Sequence, residues 1–270
     1  MKSEYFRCAE RLGDWDDLEE ELSNLKTGQF DIHAALDTVT HCIPGEASGG
    51  SDVCTAFRVA LRQPLVDWSP LFNKVFAQED HRCSFARAFG VELAMYALTN
   101  EKRSDVLSLT QQTYESFLDA WSTTRSSSTA VRRKLLQSLQ PAVEIEETLL
   151  SIEEIRTSLQ YMTANLNLDK ANSIVNALDS KWQKRWPSAV YDPSEVWERV
   201  ITFRSRMLGT LVSVIPEIQT NSITSMRTEM WLVASNGLRE VGQTHLSSKF
   251  FRTYLQNLQQ TNTPESWRMY

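Results

Sequence analysis

The residues with the most chemistry to offer are four cysteines, four histidines and one glycine-rich stretch in a 270-residue chain. His33, His41, Cys42 and Cys54 lie near one another in sequence but lack the paired spacing that zinc ligands adopt. They read as helix histidines and small buried thiols. Gly45 and Gly50 have the separation of a phosphate-cradling loop. Ser51-Asp52 stand where such a loop needs Lys and Ser/Thr, and Asp52 would repel phosphate. Asp80-His81-Arg82-Cys83 has some lettering of a kinase catalytic loop. It lacks the Asp after Arg, the metal-binding Asn and a following D-F-G. Four scattered histidines assemble no Ser-His-Asp or Cys-His arrangement. The expectation is therefore no catalytic residue, no metal and no cofactor. Thr110-Gln111 is an isolated Ser/Thr-Gln dipeptide, so no cluster of such phosphorylation sites is encoded.

Charge narrows the partners. Lys+Arg total 28 and Asp+Glu 34, a net charge of -6. No global basic field exists to neutralise a nucleic-acid backbone. One segment, Lys181-Trp182-Gln183-Lys184-Arg185-Trp186, interleaves cations with aromatics as single-strand binders do. On a helix, though, Trp182 and Trp186 are i and i+4 and share one face, which favours core packing. The acidic run Asp14, Asp16, Asp17, Glu19, Glu20, Glu21 suits the start of a helix and a solvated face. The cysteines, all in the first third, form no disulfide framework and fit reduced thiols in cytosol or nucleus. No signal core opens the chain, and no run approaches the roughly 18 apolar residues of a membrane span.

The elements that must position these residues read as helices. Glycine (9) and proline (8) are scarce and tryptophan (8) is plentiful. That composition disfavours a turn-rich β fold and suits large aromatics buried between long helices. Apolar residues step by three and four almost throughout. Leu107, Tyr114, Phe117/Leu118 and Trp121 mark one face. Val143, Leu149, Ile152, Ile155, Leu159 and Met162 mark a second, and Phe250/Phe251, Tyr254/Leu255 and Leu258 a third. Pro141 is expected to bend or restart its helix. Asn236-Gly237 has helical flanks and reads as a helix end or a tolerated helix glycine. Loops are expected near 44–51 and 122–129. Cys8 to Leu18, with Leu12-Gly13 and Trp15, has the layout of a tetratricopeptide-like hairpin, and Val241-Gly242-Gln243 with Phe250-Phe251 is a looser echo. The predicted class is all-α, an irregular α-solenoid of antiparallel helix pairs of the tetratricopeptide or HEAT kind.

The sharpest local signal spans 182–204. Asp192-Pro193-Ser194-Glu195 reads as N-cap, N1 proline, N2 and capping-box glutamate. The stripe Val196/Trp197, Val200/Ile201, Met207/Leu208, Leu211/Val212 follows, with Pro216 as a stop. Trp182, Trp186 and Trp197 are expected to lock successive helices, with Pro187, Asp192 and Pro193 setting the turn between them.

This segment, from Trp182-Gln183-Lys184-Arg185-Trp186-Pro187 through Asp192-Pro193 to Trp197-Glu198-Arg199-Val200-Ile201-Thr202-Phe203-Arg204, resembles the FAT domain of phosphatidylinositol-3-kinase-related protein kinases. Tyr114 to Ser122, Lys134 to Gln140, Glu144 to Glu147 and Glu10 to Glu19 fit the same family. The similarity covers most of the chain and is weakest near 40–66. The resemblance implies an all-α solenoid over 1–270 that wraps a kinase domain and transmits conformational signals to it. Implied partners are the kinase domain and adjoining helical repeats of a parent serine/threonine kinase. A Ku–DNA complex would be reached indirectly through that parent, in the nucleus, in double-strand break repair by non-homologous end joining. No membrane and no direct nucleic-acid binding are implied. The chain carries no kinase signature, so it is expected to be non-catalytic. Trp267-Arg268-Met269-Tyr270 reads as a helix cut mid-face, which suggests a fragment with an uncapped, self-associating end. The alternative is a free-standing tetratricopeptide-like protein-interaction module.

Overall fold

The computed structural model describes residues 90–161, 164–215 and 221–261. The cysteines, His33, His41 and His81, the acidic run, the 44–51 loop, the Cys8 to Leu18 hairpin, Met162, Pro216 and the C-terminal tetrapeptide lie outside these residues. The described chain is helical with no strand among the described residues. A helix occupies 90–99. It is followed by α1 (Arg103–Thr123), α2 (Thr129–Tyr161), α3 (Ala164–Gln183), α4 (Ser194–Val214), α5 (Asn221–Glu240) and α6 (Thr244–Thr261). The chain divides into two compact units, Met1–Glu146 and Glu147–Tyr270.

In the first unit, the 90–99 helix closes on itself before turning into α1. Lys102 N–H donates to Ala97 O and Glu101 N–H to Leu98 O. That pair of bonds is a Schellman cap, which satisfies carbonyls the helix end would otherwise orphan. Glu101 takes the left-handed position, φ 57°, that glycine normally fills. The two helices then run back to back, with Gly90 so close to Thr113 that a Cβ would press on its hydroxyl. The face of α1 that enters the core is Val106, Leu109 and Thr110. This corrects the aromatic face read from sequence: Leu107, Tyr114, Phe117 and Trp121 are half-buried and Leu118 is exposed. Polar tips explain part of the difference. The Tyr114 hydroxyl donates to Glu146, and Arg132 lies 4.6 Å over the Trp121 ring. Both contacts join α1 to α2 across a connector of residues 124–128, shorter than the expected 122–129.

Pro141 neither ends nor restarts α2, which is helical from Thr129 to Tyr161. Its ring is buried, and Ala142 and Ile145 beside it are fully buried. Core burial on both sides compensates for the one rung that proline removes.

In the second unit each helix buries one stripe. On α2 it is Leu149, Ile152 and Ile155; on α3, Ala171, Val175, Leu178 and Trp182. On α4 it runs Trp197, Val200, Ile201, Arg204, Met207, Leu208 and Leu211. On α5 it is Ile223, Met226, Met230, Ala234 and Leu238, and on α6 Leu246, Phe250 and Tyr254. Steps of three and four leave a single wide face per helix to bury. Helices α5 and α6 form an antiparallel hairpin. Ser235 opposes Ser247 and Trp231 opposes Phe250, so partners move in opposite directions along the chain. The two serines are buried and bond reciprocally, each hydroxyl donating to the other's carbonyl at 3.0 and 2.8 Å. Small side chains there let the backbones approach, and every polar atom of the pair has a partner. The turn is a second Schellman cap, with Gln243 N–H to Leu238 O, Gly242 N–H to Arg239 O, and Gly242 at φ 85°. Helix α5 also packs on α4 and on α3. Contact between neighbours and next-but-one neighbours is how stacked helix pairs build an irregular α-solenoid.

Candidate functional site: an arginine and three tryptophans between α3, α4 and α5

Helix α3 ends at Gln183, so Trp182 lies in its last turn and Trp186 lies beyond it. The expected i, i+4 helical pair is thus one helical and one loop residue. The two indoles nonetheless face one group. The Arg204 guanidinium from α4 sits 5.3 Å from the Trp182 ring and 4.5 Å from the Trp186 ring. Arg204 is 1% exposed, among the largest fully buried side chains of the described residues. A buried cation needs compensation. Here it comes from two indole faces and two backbone carbonyls. Nη2 donates to Trp182 O at 3.0 Å and to Arg185 O at 3.4 Å. Trp182 O lies in the last turn of α3 and Arg185 O just beyond its end, where the helix dipole is negative. Arg204 is in effect the C-terminal cap of α3, supplied by the next helix.

Trp186 continues the stack. Its ring lies 6.0 Å from that of Trp197, nearly parallel at 19°, and its Nε1 donates to Gln183. Trp197 is 4% exposed. The far edge of its indole lies where a Cβ on Gly237 would have to be. Gly237 is a helix glycine, one of the two readings its flanks allowed: it lies inside α5 and leaves room for the Trp197 indole of α4. The indole N–H groups of Trp182 and Trp197 are buried and make no hydrogen bond. Burial of the rings carries these residues, since an unsatisfied donor costs about 1–3 kcal/mol.

The turn between α3 and α4 closes on Asp192. Its Oδ2 accepts from Ser188 N–H at 2.7 Å, and its own N–H donates to Ser188 O at 2.9 Å. Asp192 is thus not the N-cap read from sequence. Helix α4 begins at Ser194 with Pro193 as N-cap and no side-chain cap. The carboxylate bonds back into the turn behind it, and such local side-chain-to-backbone bonding competes with capping. Pro187 is buried at the base of the turn, while Pro193 is exposed. Glu195 stands in the first turn of α4, where negative charge suits the dipole.

A last contact reaches α2. Arg185 forms a two-pronged pair with Glu147, at 2.8 and 3.0 Å, and Lys181 lies 3.7 Å from the same carboxylate. The fork geometry makes this pair more specific than a point charge. Among the described residues no cluster of His, Cys, Asp or Glu is arranged to hold a metal, and no helix is long and apolar enough to cross a membrane.

Sequence reasoning missed Arg204, Gly237 and Glu147. The signal for Arg204 was present: the apolar stripe of α4 passes from Val200/Ile201 to Met207/Leu208, and the position between is an arginine. Nothing in a single sequence pairs Gly237 with Trp197, forty residues away.

A helical scaffold whose interior is joined by aromatic stacking and a buried arginine is a packing module. The chain belongs to the FAT-domain family, whose model matches residues 2–269. It is similar to the DNA-dependent protein kinase catalytic subunit of Dictyostelium discoideum, 24% identical over 183 residues, which is 64% of this chain. The chain spans about 4% of that relative's length. No solved structure matches it. The FAT domain is a non-catalytic part of phosphatidylinositol-3-kinase-related kinases, and the all-α class expected from sequence is the observed one.

Proposed function

We propose that this chain is a non-catalytic helical scaffold within the FAT region of a DNA-dependent protein kinase-like serine/threonine kinase. In this reading its partners are the kinase domain and adjoining repeats, and Ku on DNA is met only through the parent. Its setting is nuclear double-strand break repair by non-homologous end joining. The family match and the likeness to the Dictyostelium kinase support the kinase context. The observation that supports the scaffold role is the chain of contacts Glu147–Arg185, Arg185 carbonyl to Arg204, Arg204 with Trp182 and Trp186, and Trp197 against Gly237. It ties parts of α2, α3, α4 and α5 together without a group suited to catalysis. Trp182, Trp186 and Trp197 act as the lock, and Pro187, Asp192 and Pro193 fix the turn. A scaffold of this kind transmits position because packed interiors shift between discrete arrangements rather than deform smoothly.

The test is made in the full-length parent kinase. Trp197→Ala there lowers DNA-stimulated phosphorylation of a peptide several-fold and leaves the KM for ATP unchanged. Full stimulated activity from a variant shown to be destabilised in this region would contradict the reading.

A further inference from the structure

The connector between α1 and α2 holds hydroxyls that the fold leaves unused. Residues 122–129 read Ser-Thr-Thr-Arg-Ser-Ser-Ser-Thr. The first three bond back to α1: Ser122 Oγ donates to Asp119 O at 2.8 Å, Thr123 Oγ1 to Ala120 O at 3.0 Å and Thr124 Oγ1 to Ala120 O at 2.7 Å. The hydroxyls of Ser126, Ser127 and Ser128 make no such bond among the described residues. Ser126 and Ser127 are exposed, and Ser128 is half-buried just ahead of Thr129, where α2 begins. Arg125 beside them is exposed as well.

Charge singles out one of the three. Residues 120–143 contain Arg125, Arg132, Arg133 and Lys134 and no Asp or Glu, in a chain of net charge -6. Protein kinases choose substrates by such charge patterns, and an arginine three residues before the acceptor suits a kinase with an acidic cleft. Among the described residues that spacing occurs at Arg125–Ser128, Arg185–Ser188 and Arg199–Thr202. The fold removes the last two. Ser188 holds the α3–α4 turn: its Oγ accepts from Val190 N–H, and its own N–H and carbonyl both meet Asp192. Thr202 lies in the middle of α4. At Ser128 the bond that must open for the connector to lie extended in a kinase cleft is local, Ser128 N–H to Arg125 O at 3.0 Å.

We infer that Ser128 is a phosphorylation site for a serine/threonine kinase that reads basic flanks, and that the phosphate steadies the start of α2. Ser128 Oγ attacks the γ-phosphorus of ATP, the bond from that phosphorus to the β–γ bridging oxygen breaks, ADP leaves, and the hydroxyl proton passes to the catalytic aspartate of the modifying kinase. The product places a charge of about -1.5 to -2 at a helix N-terminus and one turn before Arg132, and both neighbours favour it. None of the three serines precedes a glutamine, so the site is distinct from the Ser/Thr-Gln kind. The inference does not depend on the kinase context of the chain.

The experiment incubates the 270-residue chain with ATP and the catalytic subunit of cyclic-AMP-dependent protein kinase, and maps phosphate by peptide mass spectrometry. Parallel reactions use Ser128→Ala, Arg125→Ala, and casein kinase, which prefers acidic flanks. The wild type takes up phosphate at Ser128, and Ser128→Ala takes up none on the connector. Arg125→Ala reacts about tenfold more slowly, as the loss of one charge-assisted contact implies. Casein kinase leaves the connector unmodified. Both variants keep the wild-type circular dichroism, and the phosphorylated wild type melts higher than the unmodified chain. Phosphate on Ser188 or Thr202 with none on Ser128 overturns the inference. So does connector labelling that persists in Ser128→Ala, that is undiminished in Arg125→Ala or that casein kinase supplies equally. A phosphorylated chain that melts no higher overturns the steadying role.

Discussion

Arg204 shows how much a single side chain decides. Its guanidinium caps α3, faces two indoles and sits on α4, so its loss touches three elements together. Arg204→Lys is not conservative at such a site, since an ammonium loses the planar face that lies against the two indoles. The expected cost is about 1–3 kcal/mol, the range for leaving buried polar groups unsatisfied, read from urea melts. A lysine variant as stable as wild type would show that the planar guanidinium is dispensable. Gly237 makes the complementary case. Alanine is the better helix former by about 1 kcal/mol, yet Gly237→Ala must displace the Trp197 indole. The variant is expected to lose stability in the wild-type background and to gain it once Trp197 is Leu. A double-mutant cycle measures that change of sign, and simple additivity would disprove the close approach. From sequence, Trp182 and Trp197 read as core and are buried, while Trp186 is half-buried beside them. Their partners were not legible, because contacts between residues far apart in the chain leave no periodicity.

Helix ends are where local chemistry and sequence pattern part company. The stripe of α4 was legible almost to the residue, from Trp197 to Leu211. Its start was misplaced, because Asp192 can cap the helix ahead or close the turn behind, and the same letters serve both. Pro141 does not restart its helix, because the buried residues beside it hold the helix through the missing rung. The two Schellman caps offer a matched test of end chemistry. Gly242 fills the left-handed position after α5, and Glu101 fills the equivalent one after the 90–99 helix. Gly242→Ala should cost about 1 kcal/mol, and Glu101→Gly should recover about as much. Paired chemical melts check both signs, and a stabilising Gly242→Ala would mean that the turn does not depend on its left-handed residue.

Taken together, the chain does its work by shape. Scarce glycine and proline made an all-α fold legible from composition, and the Asp-Pro turn flanked by tryptophans made the FAT resemblance legible from a short segment. What stayed hidden is how successive helices hold one another: an arginine that finishes its neighbour's end, an indole stacked on an indole, and a glycine that lets the second indole in. If that junction is the lock of the scaffold, removing its middle member must be felt well beyond the site. Trp197→Ala empties a fully packed position and should cost about 3–5 kcal/mol. The decisive observation is the thermal midpoint of that variant beside the wild-type chain: a large fall is the result this account predicts, and an unchanged midpoint would contradict it.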